Sequence, residues 1–194
     1  MSVFFKYILA KLNVKFVFVS NWMRDVFFKN IFHLESSFYE VIPNPVNSNF
    51  IFSSFSNHSN SKKLGICVRP WDDSKYAIDM VVDFFEFNPN LKCDIYGKGS
   101  YPENNIIPEN VKFKSGFIIQ SQIPELLNNY HFAILPTRLD AQGVFACELA
   151  TFGIPLIVGA TSPTIVASCH EESSKLLLVQ LAGAFVETFQ LVSV

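Results

Sequence analysis

The stretch FAILPTRLDAQGVFACELATFGIPLIV, residues 132–158, joins two short apolar runs through a polar loop and an apolar segment of a different kind. FAIL stops at Pro136 and IPLIV opens next to Gly153. Runs of this length between turn residues read as buried strands. Between them VFACELATF is a short helical candidate that ends naturally at Gly153, since a left-handed helix cap favours glycine. Strand, helix and strand in this order make one unit of a parallel sheet with a right-handed crossover.

The same alternation extends upstream. LGICV (residues 64–68) reads as a buried strand. LKCDIYG places Leu91, Cys93 and Ile95 on one face, and VKFKSGF does so with Val111 and Phe113. Between the first two strands, Ile78, Val81, Val82 and Phe85 recur at i, i+3, i+4 and i+7, the stripe of a helix packed on a sheet. IPELLNNY is a shorter helical candidate before FAILP. About five strands alternating with helices predict an α/β fold, a doubly wound parallel sheet. Such a sheet binds ligands in the crevice beyond the carboxyl ends of its strands. The loops after Val68, Tyr96 and Pro136 therefore matter most.

Before residue 63, FVFVSNWMRDVF reads as a strand running into a helix, and EVIPNPVNSNF as a strand leaving through a proline-rich turn. FSSFSNHSNSKK is rich in serine and asparagine and reads as a linker or exposed loop. At the other end, His170, Glu171 and Glu172 read as a polar turn before an apolar helix.

Composition bounds the function. The 194 residues suffice for one α/β domain and a flanking piece. With 49% hydrophobic and 16% charged residues the chain can bury a large core, and its 21 phenylalanines, several of them before residue 56, hint at a surface made for a partner. A net charge of −2 without a long basic run argues against nucleic acid as a partner. Cys67, Cys93, Cys147 and Cys169 stand singly, as buried reduced thiols of a cytosolic protein do. The apolar start is interrupted by Lys6, Lys11 and Lys15, so neither a membrane span nor a secretion signal is expected there. Packing against another domain fits its pattern, and so does an amphipathic helix lying on a membrane.

Three loops carry the candidate chemistry. In VRPWDDSKY, Arg69 at a strand end and Lys75 at a helix start suit a diphosphate, whose charge needs several donors; solvated side chains beside Asp72 and Asp73 fit equally. In YGKGS, Gly97 and Gly99 let backbone approach a ligand, or serve an ordinary turn. In the third loop a helix starting near Gly143 would turn its free N–H groups into the crevice. Glu148 lies inside that apolar helix, where an unpartnered carboxylate is costly to bury. With Asp140 it can accept hydrogen bonds from hydroxyls, or the two can serve as a solvent-edge acid and a loop cap.

The string DAQGVFACELATFGIPLIV resembles the paired-acid motif of retaining GT-B glycosyltransferases: an acid, seven residues, a glutamate, then a small-residue helix end and Gly-x-Pro. The order of VSNWMRD, VIPNPV, the Arg69 to Lys75 loop, IYGKG and this motif is similar to that family from the end of its first domain through most of its second. The resemblance implies a Rossmann-like C-terminal GT-B domain preceded by a remnant of the N-terminal domain. It divides the chain into that remnant (1–52), a linker (53–62), the nucleotide-sugar-binding domain (63–180) and an atypical tail (181–194).

By that resemblance Arg69 and Lys75 bind the donor diphosphate, Glu148 the ribose, and Asp140 hydroxyls of the transferred sugar. Gly97 and Gly99 belong to the donor-side loops, and the amides of Gly143, Val144 and Phe145 approach the sugar and phosphates. The family usually has Glu at the first acidic position and then Gly-Phe-Gly, where this chain has Asp140, Ala141, Gln142 and Gly143. No cofactor and no bound metal is expected, because cationic side chains and helix dipoles neutralise the leaving diphosphate.

The implied reaction is retaining transfer from a nucleotide-sugar to a glycan or lipid-linked acceptor in cell-surface polysaccharide assembly. The expected location is the cytoplasm, with peripheral contact at the inner face of the membrane left open. Most of the family's first domain has no counterpart here, so a complementary chain is a further expected partner. A catalytically inactive nucleotide-binding module and a nonhydrolysing sugar epimerase remain as alternatives.

Overall fold

A computed structural model describes residues 15–27, 39–56, 63–101, 106–116, 118–138, 142–159 and 178–181. Two parallel sheets organise them. In the smaller, β1 (Phe16–Phe18) runs beside β2 (Tyr39–Val41), with α1 (Asn21–Phe27) following β1. α2 (Ser48–Ile51) starts at Asn47, whose side chain accepts the Asn49 N–H and so caps the first turn.

The larger sheet is built from β3 (Leu64–Val68), β4 (Lys92–Gly97), β5 (Val111–Ser115), β6 (Phe132–Leu135), β7 (Leu156–Gly159) and β8 (Leu178–Leu181). All neighbours are parallel, in the order β5-β4-β3-β6-β7-β8. From β3 the chain steps outward to β4 and β5, returns to β6 beside β3, and steps outward the other way. β3 and β6 are therefore the two strands on either side of the reversal, the place where such sheets open a ligand crevice.

Helices cover both faces, as a sheet apolar on both sides requires. α3 (Ile78–Glu86) turns Ile78, Val81, Val82, Phe84 and Phe85 onto Cys67, Cys93, Ile95 and Ile134. On the opposite face lie α4 (Ile123–Leu127) and α5 (Val144–Phe152), packed on Ile66, Leu135, Leu156 and Val158. The predicted helices and the first five strands of this sheet are present, and α5 ends at Gly153. Cys67, Cys93 and Cys147 are free and buried, and burial pushes the Cys67 thiol up to about 12; Cys169 lies outside the described residues.

Two features differ from the sequence pattern. The apolar tail read as a helix supplies β8, because a short apolar run fits either state and pairing along β7 decides it. Asp94, on a central strand, is buried. Tyr130 donates to its carboxylate at 2.7 Å and Lys114 pairs with it at 2.6 Å, so the charge is matched within the fold. Residues before and after position 52 pack on α5. Phe50 is 0% exposed, edge-on to Phe145 and Phe152 at 6.3 Å each. Phe55 N–H donates to the Phe152 carbonyl at 2.8 Å, and Ser56 N–H to Asn128 Oδ1 at 2.9 Å. Residues 44–56 thus form a strap along α5; residues 57–62 of the expected linker lie outside the described residues.

If the strap is part of the core, Phe50→Ala destabilises the protein by about 3–5 kcal/mol in urea unfolding, through the cavity it leaves. Phe52 is 87% exposed, and Phe52→Ala should stay within about 0.5 kcal/mol of the wild type. Equal effects of the two substitutions would contradict this packing.

Candidate functional site

The site is assembled where the loops leaving β3 and β6 meet. Beyond β3, Arg69 N–H donates to the Tyr96 carbonyl and Trp71 N–H to the Lys98 carbonyl, both at 2.9 Å, so the loop stays zipped to the end of β4. Gly97 makes this possible. A Cβ there would stand 2.0 Å from the Arg69 carbonyl oxygen. Gly99, at φ +121°, packs likewise against Asp72. The neighbour both glycines accommodate is thus the Arg69 to Asp72 loop.

Arg69 is half-buried and held by aromatic faces. Its guanidinium carbon lies 5.4 Å from the Tyr76 ring centre and 5.6 Å from that of Phe145. One ring belongs to the β3 loop and the other to α5, so the cation sits between the elements on either side of the crevice. Lys75 follows in a short 3-10 turn that Asp73 caps by accepting the Lys75 N–H at 3.0 Å. The Lys75 ammonium pairs with the same carboxylate at 3.0 Å and lies 4.7 Å from the Tyr76 ring centre. These contacts hold Asp73 below its ordinary range, chiefly through the Lys75 backbone N–H, and raise Lys75, chiefly through Asp73. Both side chains are largely exposed, so a stronger anion can displace Asp73 from Lys75 at little cost.

The β6 loop is tied to the β3 loop by a residue the sequence reading overlooked. Arg138 N–H donates to the Lys75 carbonyl at 2.8 Å, and its guanidinium donates to the Ser74 carbonyl at 2.6 Å and pairs with Asp79 at 2.5 Å. Thr137 adds a hydroxyl contact to the Lys75 carbonyl at 3.4 Å. In sequence Arg138 is one polar residue among several. Only the reversal of strand order brings it beside Lys75.

α5 begins at Gly143, whose φ of +70° is left-handed backbone suited to glycine. Val144 and Phe145 open the helix, and such first-turn N–H groups have no carbonyl one turn back to bond. Asp140 and its neighbours 139 and 141 lie outside the described residues. Gln142 is buried, and its carboxamide pairs with the Asn44 peptide of the strap.

Glu148 is 5% exposed, one turn beyond Val144. Burial raises its pKa from the ordinary value. Hydrogen bonds from the Asn47 backbone N–H and from Gln120 Nε2, the latter at 3.3 Å, pull the other way without cancelling the shift. A carboxylate kept buried on partners this few retains accepting capacity. A further feature lies beside α4. Tyr96, Ile118, Gln122, Glu125, Leu126 and Asn129 line an open groove of about 330 Å³ between α4 and the end of β4. Among the described residues no cluster of His, Cys, Asp and Glu could hold a metal ion, and no helix is long and apolar enough to cross a membrane.

Arg69, Lys75, Val144 and Phe145 are thus brought to one crevice, and Glu148 lies in the helix that forms its wall. No family model matches the sequence, and no curated protein matches it. Solved structures do. Sucrose-phosphate synthase from Thermosynechococcus elongatus matches with a TM-score of 0.63 at 16% identity, over 84% of this chain and 44% of that one. WaaG, a glycosyltransferase involved in lipopolysaccharide biosynthesis, matches with a TM-score of 0.60 at 14% identity, over 91% of this chain and 50% of that one. A variant of S. aureus TarM in complex with fondaparinux, alpha-GlcNAc-glycerol and UDP matches with a TM-score of 0.59 at 18% identity, over 79% of this chain and 31% of that one. The chain therefore spans half or less of the length of these structures. At such identities the likeness concerns the fold, and the fold is that of a Rossmann-like domain of the GT-B glycosyltransferases.

Proposed function

We propose that this chain is the donor-binding domain of a glycosyltransferase that takes a sugar from a nucleoside-diphosphate sugar. The observation that carries the reading is the convergence of two cations, a helix N-terminus and a buried carboxylate at the reversal of strand order. The diphosphate would sit between Arg69, Lys75 and the amides of Val144 and Phe145. The two cations come from one wall and the helix end from the other, so charge developing on the leaving diphosphate meets donors already oriented. Lys75 would exchange Asp73 for a phosphate oxygen, one anion for another.

Glu148 would accept hydrogen bonds from the paired ribose hydroxyls, which supply the donors its burial leaves wanting. The groove beside Ile118 is of a size and polarity to take the base. Asp140 is assigned to the sugar hydroxyls by the family resemblance, and Gly97 and Gly99 keep the donor-side loop in shape. Retention of configuration, a glycan or lipid-linked acceptor and independence from metal belong to the same reading. So does work at the inner face of the membrane in polysaccharide assembly. Because this chain covers half or less of each matched structure, acceptor binding is assigned to a partner surface, either more of this polypeptide or a complementary chain.

Calorimetric titration with UDP, GDP and the parent nucleosides tests the reading. Arg69→Ala and Lys75→Ala should weaken diphosphates far more than nucleosides. An equal loss for both ligand classes, or no binding of any nucleotide at millimolar concentration, would overturn it.

Glu148→Gln separates the carboxylate's function from its effect on the fold. The folded pKa is raised, so native protein holds this proton more tightly than unfolded chain does. Its contribution is then most favourable below the unfolded value near ~4.3 and is lost as pH rises through the folded value. Relative to wild type, the Gln variant should be equally stable near pH 4 and more stable at pH 7. It should nevertheless bind UDP more weakly, by about 1–3 kcal/mol for a lost charged hydrogen bond. A variant that is less stable at pH 7 and binds UDP unchanged would show Glu148 to be a structural acid.

A further inference from the structure

Gln142 stands where the resembling family has the phenylalanine of its Gly-Phe-Gly run, and its side chain spans 98 positions of sequence to reach Asn44. Asn44 N–H donates to Gln142 Oε1 at 2.7 Å, and Gln142 Nε2 donates to the Asn44 carbonyl at 3.1 Å. The carboxamide thus meets both polar groups of one residue, much as a neighbouring strand would.

The target is unusual. Asn44 lies between Pro43 and Pro45. Proline has no N–H and a fixed φ, and the residue before a proline is confined to extended backbone. Asn44 therefore offers the one backbone donor of residues 43–45, on a stiff stretch, and Gln142 takes it. Gln142 is only 5% exposed while Asn44 is exposed, so breaking the pair would take two hydrogen bonds from a buried carboxamide.

Both ends of this contact matter to the site. On one side Gln142 immediately precedes Gly143, the residue that sets the start of α5. On the other, Asn44 begins the strap whose Asn47 N–H bonds Glu148 and whose Phe50 packs on Phe145, the ring that also faces Arg69. We propose that Gln142 is a positioning residue: by clamping the Asn44 peptide it fixes the strap against the first turn of α5 and so holds the donor-facing amides and Glu148 in register. The coupling to donor rests on the function proposed above; the clamp itself does not.

Two substitutions test it on the full chain. A protonated glutamic acid has one carbonyl acceptor and one O–H donor, so Gln142→Glu can restore both bonds when neutral. When ionised it turns a negative charge toward the Asn44 carbonyl. Gln142→Met keeps length and shape but makes neither bond at any pH. Hydrogen exchange at the Asn44 amide and UDP affinity are measured between pH 5 and 8 for each variant. Wild type is the reference at every pH, because Glu148 and any nearby acid titrate in it as well.

The expected result is that Gln142→Glu matches wild type at the acid end and loses about tenfold in UDP affinity at the alkaline end, where the carboxylate still accepts the Asn44 N–H but repels the Asn44 carbonyl. Gln142→Met should lose both Asn44 protection and UDP affinity across the range. Wild-type protection of Asn44 in both variants would overturn the clamp. Loss of protection with UDP affinity unchanged would overturn the positioning role. If wild type binds no UDP while Asn44 protection follows Gln142, the clamp stands and the donor reading falls. Should Gln142→Glu unfold at alkaline pH, the Met variant alone carries the comparison.

Discussion

Two adjacent parallel strands that send their chains in opposite directions impose the rest of this architecture. β3 and β6 pair through Gly65 to Cys67 and Phe132 to Ile134, yet β3 leads toward β4 and β6 toward β7. Their following loops must separate, and the gap between them cannot be filled by a crossover helix from either side. What remains is a cleft floored by strand ends and walled by Arg69 to Tyr76 and by the start of α5. Arg138 limits how far it can open, because it bonds the carbonyls of Ser74 and Lys75 across the top of β3 and β6.

α5 shows how polar function is built into an apolar helix. Six of its nine residues are buried, Glu148 among them. An ionised carboxylate there opposes folding, as its raised pKa records. The strap reduces that opposition through the Asn47 N–H and anchors itself by Phe50, while Gln142 fixes its proline-bounded start. Strap and helix therefore act as one element. The donor wall depends on residues 44–56 as much as on the βαβ unit it belongs to.

Much of this was legible in the sequence, and the limits have physical causes. The strand and helix runs were readable because each carries its own period, as in Cys93 and Ile95 or in Val81, Val82 and Phe85. Glu148 could be singled out because its apolar neighbours made burial costly. Gln142 was visible only as a departure from a motif, since nothing local ties residue 142 to residue 44. Arg138 was hidden for the same reason. The strap was not visible as such, since its serines and asparagines resemble a linker while its packing rests on two phenylalanines, Phe50 and Phe55. β8 was misread because an apolar run without period takes its form from the neighbour it pairs with.

The central claim is that the cleft between β3 and β6 receives a nucleoside diphosphate. Backbone amide shifts followed by NMR during titration with UDP address it most directly. The account predicts saturable changes concentrated at Arg69, Val144, Phe145 and Glu148, with the α3 face of the sheet unmoved. Changes confined to other surfaces, or none at saturating UDP, would contradict it.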